Sequence, residues 1–200
     1  MPNIAVISQD ANHNLLTLLE AHQEKNLKDG ELTLVATRAE SSLRHARKAG
    51  VETLEITADG AYNAELADQI AVHKPDLIVV LDSPHNFDAA FLKKFPNKVI
   101  AVHPALAGQF PDADAVERAF KAFHDKEIKW SGCHVHYVGP AGTAAKVMRQ
   151  LVVPIEPKDT LERFAARMRK GEKWLLLKAV KQFLYELRNQ NKRSRSPVSS

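Results

Sequence analysis

Two hundred residues, 44% hydrophobic and 26% charged with a net charge of +4, describe one globular domain with room for a real core. No apolar run approaches the roughly 20 residues of a membrane span. The chain enters a strand-like run at once (MPNIAVIS), so no signal peptide is expected, and the single cysteine, Cys133, fits a reducing, cytoplasmic setting.

Strand and helix patterns alternate from the start. Residues 3–8 (NIAVIS) form a short apolar run that predicts a buried strand, and residues 12–22 follow with Leu15, Leu16, Leu18 and Leu19 at helical spacing. Asn12 or Asn14 suits the cap of that helix. Residues 32–37 (LTLVAT) predict a second strand, and residues 41–49 a helix closed by Gly50. A third strand over 51–56 and a third helix over 61–73 lead to LIVVL at 77–81, the most apolar strand of the chain. A short helix over 87–95 precedes a strand over 98–102. Helices of this length between apolar strands imply right-handed crossovers and a doubly wound, mostly parallel α/β sheet.

After a helix over 113–123 the pattern changes. Residues 134–138 and 147–155 have no helix between them, only Gly139-Pro140-Ala141-Gly142, which predicts an antiparallel C-terminal addition. Two helices, over 159–169 and 172–187, close the folded part, with Thr160 a cap for the first. The domain is expected to span residues 1–188. Residues 189–200 (NQNKRSRSPVSS) read as a disordered basic tail. Among the basic residues Lys178, Lys181, Arg188, Lys192, Arg193 and Arg195 the nearby aromatics are Phe183 and Tyr185, which read as core positions, so the stretch suggests a solvated face rather than a nucleic-acid surface.

Chemistry concentrates in two segments. VIAVHPALAGQ (99–109) ends a strand in His103-Pro104; Pro104 has no N–H for a ladder, which leaves an imidazole at a strand's carboxyl end, where open α/β sheets bind ligands. SGCHVHYV (131–138) alternates His134 and His136 around Val135, so both imidazoles share one strand face. Three gathered histidines raise the question of zinc, but no cysteine or carboxylate completes a ligand pattern and no metal is expected. The loop after the first strand, SQDANHN, sits where this architecture takes phosphates, yet it has no glycine, and Asp10 opposes an anion. Cys133 reads as a buried strand residue rather than a nucleophile.

IAVHPALAGQF resembles the NxHPALPGxF-type segment of the glycinamide ribonucleotide formyltransferase family, and SGCHVHYV resembles its GCxVHYV strand. IAVISQDANHNLLTLL is similar to the family's opening strand, loop and helix, KPDLIVVLDS to the strand before its folate loop, and LVVPIEPKDTLERFAARMRKGEKWLLLKAVKQFL to its closing elements. The likeness covers residues 3–187 and is strongest to fungal members. It implies a Rossmann-like formyltransferase fold and transfer of a formyl group from 10-formyltetrahydrofolate to the amine of glycinamide ribonucleotide, in purine biosynthesis. A related phosphorylated amine, no membrane, no nucleic acid, and a monomer or homodimer complete that expectation.

The resemblance assigns roles residue by residue. His103 takes the place of the catalytic histidine and His136 of a supporting one. Asn12 and Asn14 fall in the phosphate loop, Glu172 matches a substrate-contacting glutamate, and Asp82, His85, Asn86 and Phe87 fall in the folate loop. The family's catalytic asparagine falls on Ala101 and its aspartate on Thr143. Loss of one oxyanion donor costs about 3–4 kcal/mol, a rate factor of roughly 10² to 10³. Loss of a carboxylate that orients a histidine costs a factor on the order of 10⁴ in acyl-transfer triads. The expectation is therefore a degenerate active site, with a catalytically silent ligand- or partner-binding relative as the alternative. Asp82 is the candidate for a displaced carboxylate.

Overall fold

The computed structural model describes residues 1–27, 30–56, 64–81, 87–111, 114–139 and 144–195. The elements follow in order: β1 (Asn3–Ile7), α1 (His13–Gln23), β2 (Glu31–Thr37), α2 (Glu40–Lys48), β3 (Glu52–Glu55), α3 (Ala64–Ala71), β4 (Leu77–Val80), α4 (Ala89–Lys94), β5 (Val99–His103), α5 (Ala115–His124), β6 (Gly132–Val138), β7 (Ala144–Val152) and α6 (Leu161–Arg195). The strands form one seven-stranded sheet in the order β3-β2-β1-β4-β5-β6-β7. Pairing is parallel from β3 to β5 and antiparallel for β5–β6 and β6–β7, as the sequence pattern predicts.

The chain leaves β1 towards β2 and β3 on one side, then returns to β4 and β5 on the other. The carboxyl ends of β1 and β4 thus flank the switch in direction, where splayed loops leave a crevice. Alternation along the strands feeds two cores. Ile4, Val6, Val79, Ile100, Val102, Cys133 and Val135 pack towards α1, α5 and α6. Ala5, Ile7, Ile78, Val80 and Ala101 pack with Leu66, Ile70 and Phe91 of α3 and α4. Burial on both faces is what made these strands read as nearly unbroken apolar runs.

Local chemistry sets the ends of the elements. Asn12 caps α1, its Oδ1 accepting the N–H groups of Asn14 and Leu15 at 3.0 Å each. Gly50 takes φ +75° just beyond α2, a left-handed conformation that favours glycine. Thr160 Oγ1 accepts Arg163 N–H at 3.3 Å at the start of α6.

The C-terminal region departs from expectation. The two helices expected over 159–169 and 172–187 are one helix, α6, and it continues through Arg195, so residues 189–195 of the expected disordered tail are helical. Gly171 lies in the gap between the two expected helices. A Cβ at Gly171 would stand 2.9 Å from Val153 Cγ2 and 3.3 Å from Leu151 Cδ2. The glycine therefore lets α6 lie close on the sheet, and the packing gained there outweighs its poor helix propensity. Residues 196–200 lie outside the described residues.

Candidate active site

β5 ends on His103, and β6 runs antiparallel beside it, so Ala101 faces His136 and His103 faces His134 across the ladder. The side chains of 101 and 103 share a face, as do those of 134 and 136. The imidazoles gather as the alternation predicts: ring centres lie 5.5 Å apart for His103 and His134, and 4.9 Å for His134 and His136. All three residues are buried.

Their hydrogen bonds limit what they can do. His103 Nε2 lies 2.7 Å from the Phe110 carbonyl, and His134 Nδ1 lies 2.7 Å from the Ala105 carbonyl. A carbonyl only accepts, so each of these nitrogens carries a proton and donates it. The loop from Pro104 to Phe110 folds back over the strand end to supply both acceptors; Gly108 (φ +84°) and Phe110 (φ +38°) take left-handed conformations in it. His136 Nδ1 is buried without a partner among the described residues. Burial, then the neighbouring His134 and His103, push the His136 pKa down to about 4. Burial also lowers His134, against the opposing pull of the Ala105 hydrogen bond. Near neutral pH His136 is therefore an uncharged imidazole. No ion pair to His103, His134 or His136 forms among the described residues.

Position 101 carries a buried methyl group where the resemblance puts an amide. It is 1% exposed and packed in the α3–α4 core, so β5 offers no side-chain donor beside His103. Thr143, Asp82, His85 and Asn86 lie outside the described residues. Phe87, expected at the folate loop, is 4% exposed and meets Phe91 edge-on at 5.0 Å, anchoring the loop's end in the core. Although three imidazoles meet, no group of three or more His, Cys, Asp or Glu among the described residues is arranged to hold a metal ion.

A second polar cluster sits at the opening of α1. Glu172, on α6, is buried, and its carboxylate meets His13 Nε2 at 3.1 Å and Asn14 Nδ2 at 3.4 Å. Gly171 brings α6 close enough to place that carboxylate at the amino-terminal pole of α1, which has no acidic residue in its own first turn. A negative charge there is favourable. Asn12 and Asn14, expected to meet substrate, spend part of their capacity internally: Asn12 Oδ1 on the cap and Asn14 Nδ2 on Glu172, while Asn14 Oδ1 is buried without a partner among the described residues. Cys133 lies 3.7 Å below the Cβ that Gly171 lacks, and burial together with Glu172 pushes its thiol up to about 12. The thiol is inert at neutral pH. Sequence reasoning passed over the role of His13, because its partner is 159 residues away.

A doubly wound sheet with polar side chains converging at the carboxyl ends of β1 and β5 defines an α/β protein with a ligand site at its sheet edge, and the comparisons make the class specific. A family model described as Formyl transferase matches residues 2–180. A phosphoribosylglycinamide formyltransferase from Dictyostelium discoideum is 31% identical over 198 residues, spanning 90% of this chain and 96% of the relative. A fungal phosphoribosylglycinamide formyltransferase, from Schizosaccharomyces pombe (strain 972 / ATCC 24843), is 28% identical over 200 residues, spanning 91% and 97%. Among solved structures, glycinamide ribonucleotide transformylase 1 from Symbiobacterium toebii superposes with a TM-score of 0.77 at 26% identity, covering 92% of this chain and 87% of that one. The chain belongs to the formyl transferase family, in its phosphoribosylglycinamide formyltransferase branch.

Proposed function

We propose that this protein binds glycinamide ribonucleotide, or a closely related phosphorylated amine, together with 10-formyltetrahydrofolate, and transfers the formyl group slowly. The amine attacks the formyl carbon, and the carbonyl oxygen takes up negative charge until the folate nitrogen leaves with a proton. His103 is the donor to that oxygen and His136 supports it. Asn12, Asn14 and Glu172 hold the ribonucleotide; Asp82, His85 and Asn86 meet the folate, and Thr143 stands where a carboxylate would move protons. No metal is assigned a role.

The observation that carries this reading is the bond from His103 Nε2 to the Phe110 carbonyl. With Nε2–H already spent, the ring has only Nδ1 to offer the developing oxyanion, and Nδ1 donates only when the imidazole is charged. Among the described residues no carboxylate pairs with that charge. The methyl of Ala101 adds no donor, so one oxyanion contact is missing, a rate factor of roughly 10² to 10³. A second reading, a silent relative that binds these ligands without turnover, is favoured by the same two features.

Titration calorimetry and a formyl-transfer assay with both ligands separate the readings. Micromolar binding of the ribonucleotide, with turnover roughly a hundredfold or more below that of the S. pombe relative, supports slow transfer. Binding without any turnover supports the silent relative. Absence of binding overturns both.

A further inference from the structure

The long helix α6 has two unlike sides. Leu175, Leu176, Ala179, Val180, Phe183 and Leu184 are buried. At roughly 100° per residue, Trp174, Lys178, Lys181, Tyr185, Arg188 and Lys192 fall within about 40° of one line on the opposite side. That row is about 27 Å long and holds no Asp or Glu. Glu186 lies off the row, where it accepts from Gln182 Nε2 at 2.8 Å.

Tyr185 does not pack in the core as its sequence context suggests. It is 65% exposed, and Trp174, about three turns before it, is 49% exposed. Lys178 Nζ stands 5.5 Å from the centre of the Trp174 ring, so a cation lies beside a flat apolar surface. Lys181 donates to the neutral Asn26 Oδ1 at 2.7 Å, which leaves its charge uncompensated. Neither Lys178 nor Lys181 forms an ion pair among the described residues.

Charge and stacking together select the partner. Cations spaced along a line match a phosphate backbone, and exposed rings between them stack on bases of any sequence. A lipid surface asks a helix to bring an apolar face, and that of α6 is already buried on the sheet. An acidic protein would answer the lysines but would leave the two exposed rings unexplained.

We propose that the outer side of α6 is a docking surface for single-stranded nucleic acid. Phosphates lie along Lys178, Lys181, Arg188 and Lys192, and bases stack on Trp174 and Tyr185. The surface is on the side of α6 away from Glu172, so it does not depend on which small ligand the sheet edge takes.

The test uses the full chain and fluorescence anisotropy of a labelled oligo(U) of about 20 nucleotides, titrated at several salt concentrations. Binding is expected with a Kd of about 10⁻⁶ to 10⁻⁴ M at physiological salt, and log K should fall against log salt with a slope of about −3, as four phosphate contacts predict. Trp174→Ala and Tyr185→Ala should each weaken binding about fivefold or more, whereas Tyr185→Trp should keep it. In a Trp130→Phe background, where Trp174 is the remaining tryptophan, its emission should be quenched as oligo(U) binds. Failure to bind oligo(U) overturns the proposal. So does binding that both alanine variants leave unchanged, or equal affinity for an RNA duplex of the same length, since either reduces the contact to charge alone. Tighter binding to poly-glutamate, or to vesicles of phosphatidylcholine and phosphatidylserine, with the same dependence on Trp174 and Tyr185, assigns the surface to an acidic protein or a membrane and overturns it as well.

Discussion

Two polar clusters stand at the carboxyl edge of one sheet, and they are built differently. At α1, a buried carboxylate is answered by His13 and Asn14, so charge and donors are matched. At the end of β5, three imidazoles meet with two of their protons given to backbone carbonyls and no ion pair among the described residues. A binding site needs complementary groups in the ground state. Chemistry needs groups that answer charge appearing only in the transition state. On that basis the α1 cluster has the makings of a binding site, whereas the β5–β6 cluster shows, among the described residues, no carboxylate and no side-chain amide to answer a developing charge. Under the proposed slow transfer, the contrast assigns ligand binding to the α1 cluster and the lost rate to the β5–β6 cluster.

The largest effect should come from giving the β5–β6 cluster what it lacks. Ala101→Asn combined with Thr143→Asp is expected to raise formyl transfer by about 10² or more, read in the steady-state assay with binding of the ribonucleotide nearly unchanged. Unchanged turnover in a folded double variant would mean that the two clusters do not differ as described.

Acid exposes the same cluster through stability. His136 has a pKa of about 4 in the folded protein, below the ordinary imidazole value of 6.5, so the unfolded chain binds the extra proton between these values. Stability is therefore full above pH 6.5 and falls as the pH drops from 6.5 towards 4, by about 3 kcal/mol. His134, also lowered, adds to the loss in the same direction. Denaturant midpoints at a series of pH values measure it, and His136→Leu should flatten the slope.

On the matched side, Glu172→Gln removes the charge that holds His13 while preserving shape. Ribonucleotide binding should weaken by about tenfold, and stability should fall by about 1–2 kcal/mol. The smallest change tests the packing that delivers Glu172. Gly171→Ala gains helix propensity of about 1 kcal/mol but presses a Cβ against Val153, at a cost of about 1–3 kcal/mol. The net expectation is a loss of about 1 kcal/mol of stability, read from a lower denaturant midpoint at unchanged m, accompanied by weaker ribonucleotide binding as α6 lifts.

Much of the fold was legible because its causes are local. The apolar runs at β1, β4 and β5 record burial on two faces, Asn12 announces a cap, and the alternation of His134 and His136 fixed which face they share. The one conspicuous misreading, two helices for α6, arose where a tertiary contact overruled a local rule: Gly171 serves a close approach, not a break. The pairing of His13 with Glu172 was invisible because 159 residues separate them. The bond from His103 to Phe110 depends on a backbone turn with φ +38° at a phenylalanine, a conformation such a residue seldom adopts.

The most direct test is a single-turnover experiment with protein in excess and both ligands bound, which isolates the chemical step from binding and release. The account predicts a transfer rate on the order of a hundredfold or more below that of the S. pombe relative measured alongside. A rate within about threefold of the relative would contradict it, because a full-speed step requires a charge partner at the end of β5 that the described residues do not supply.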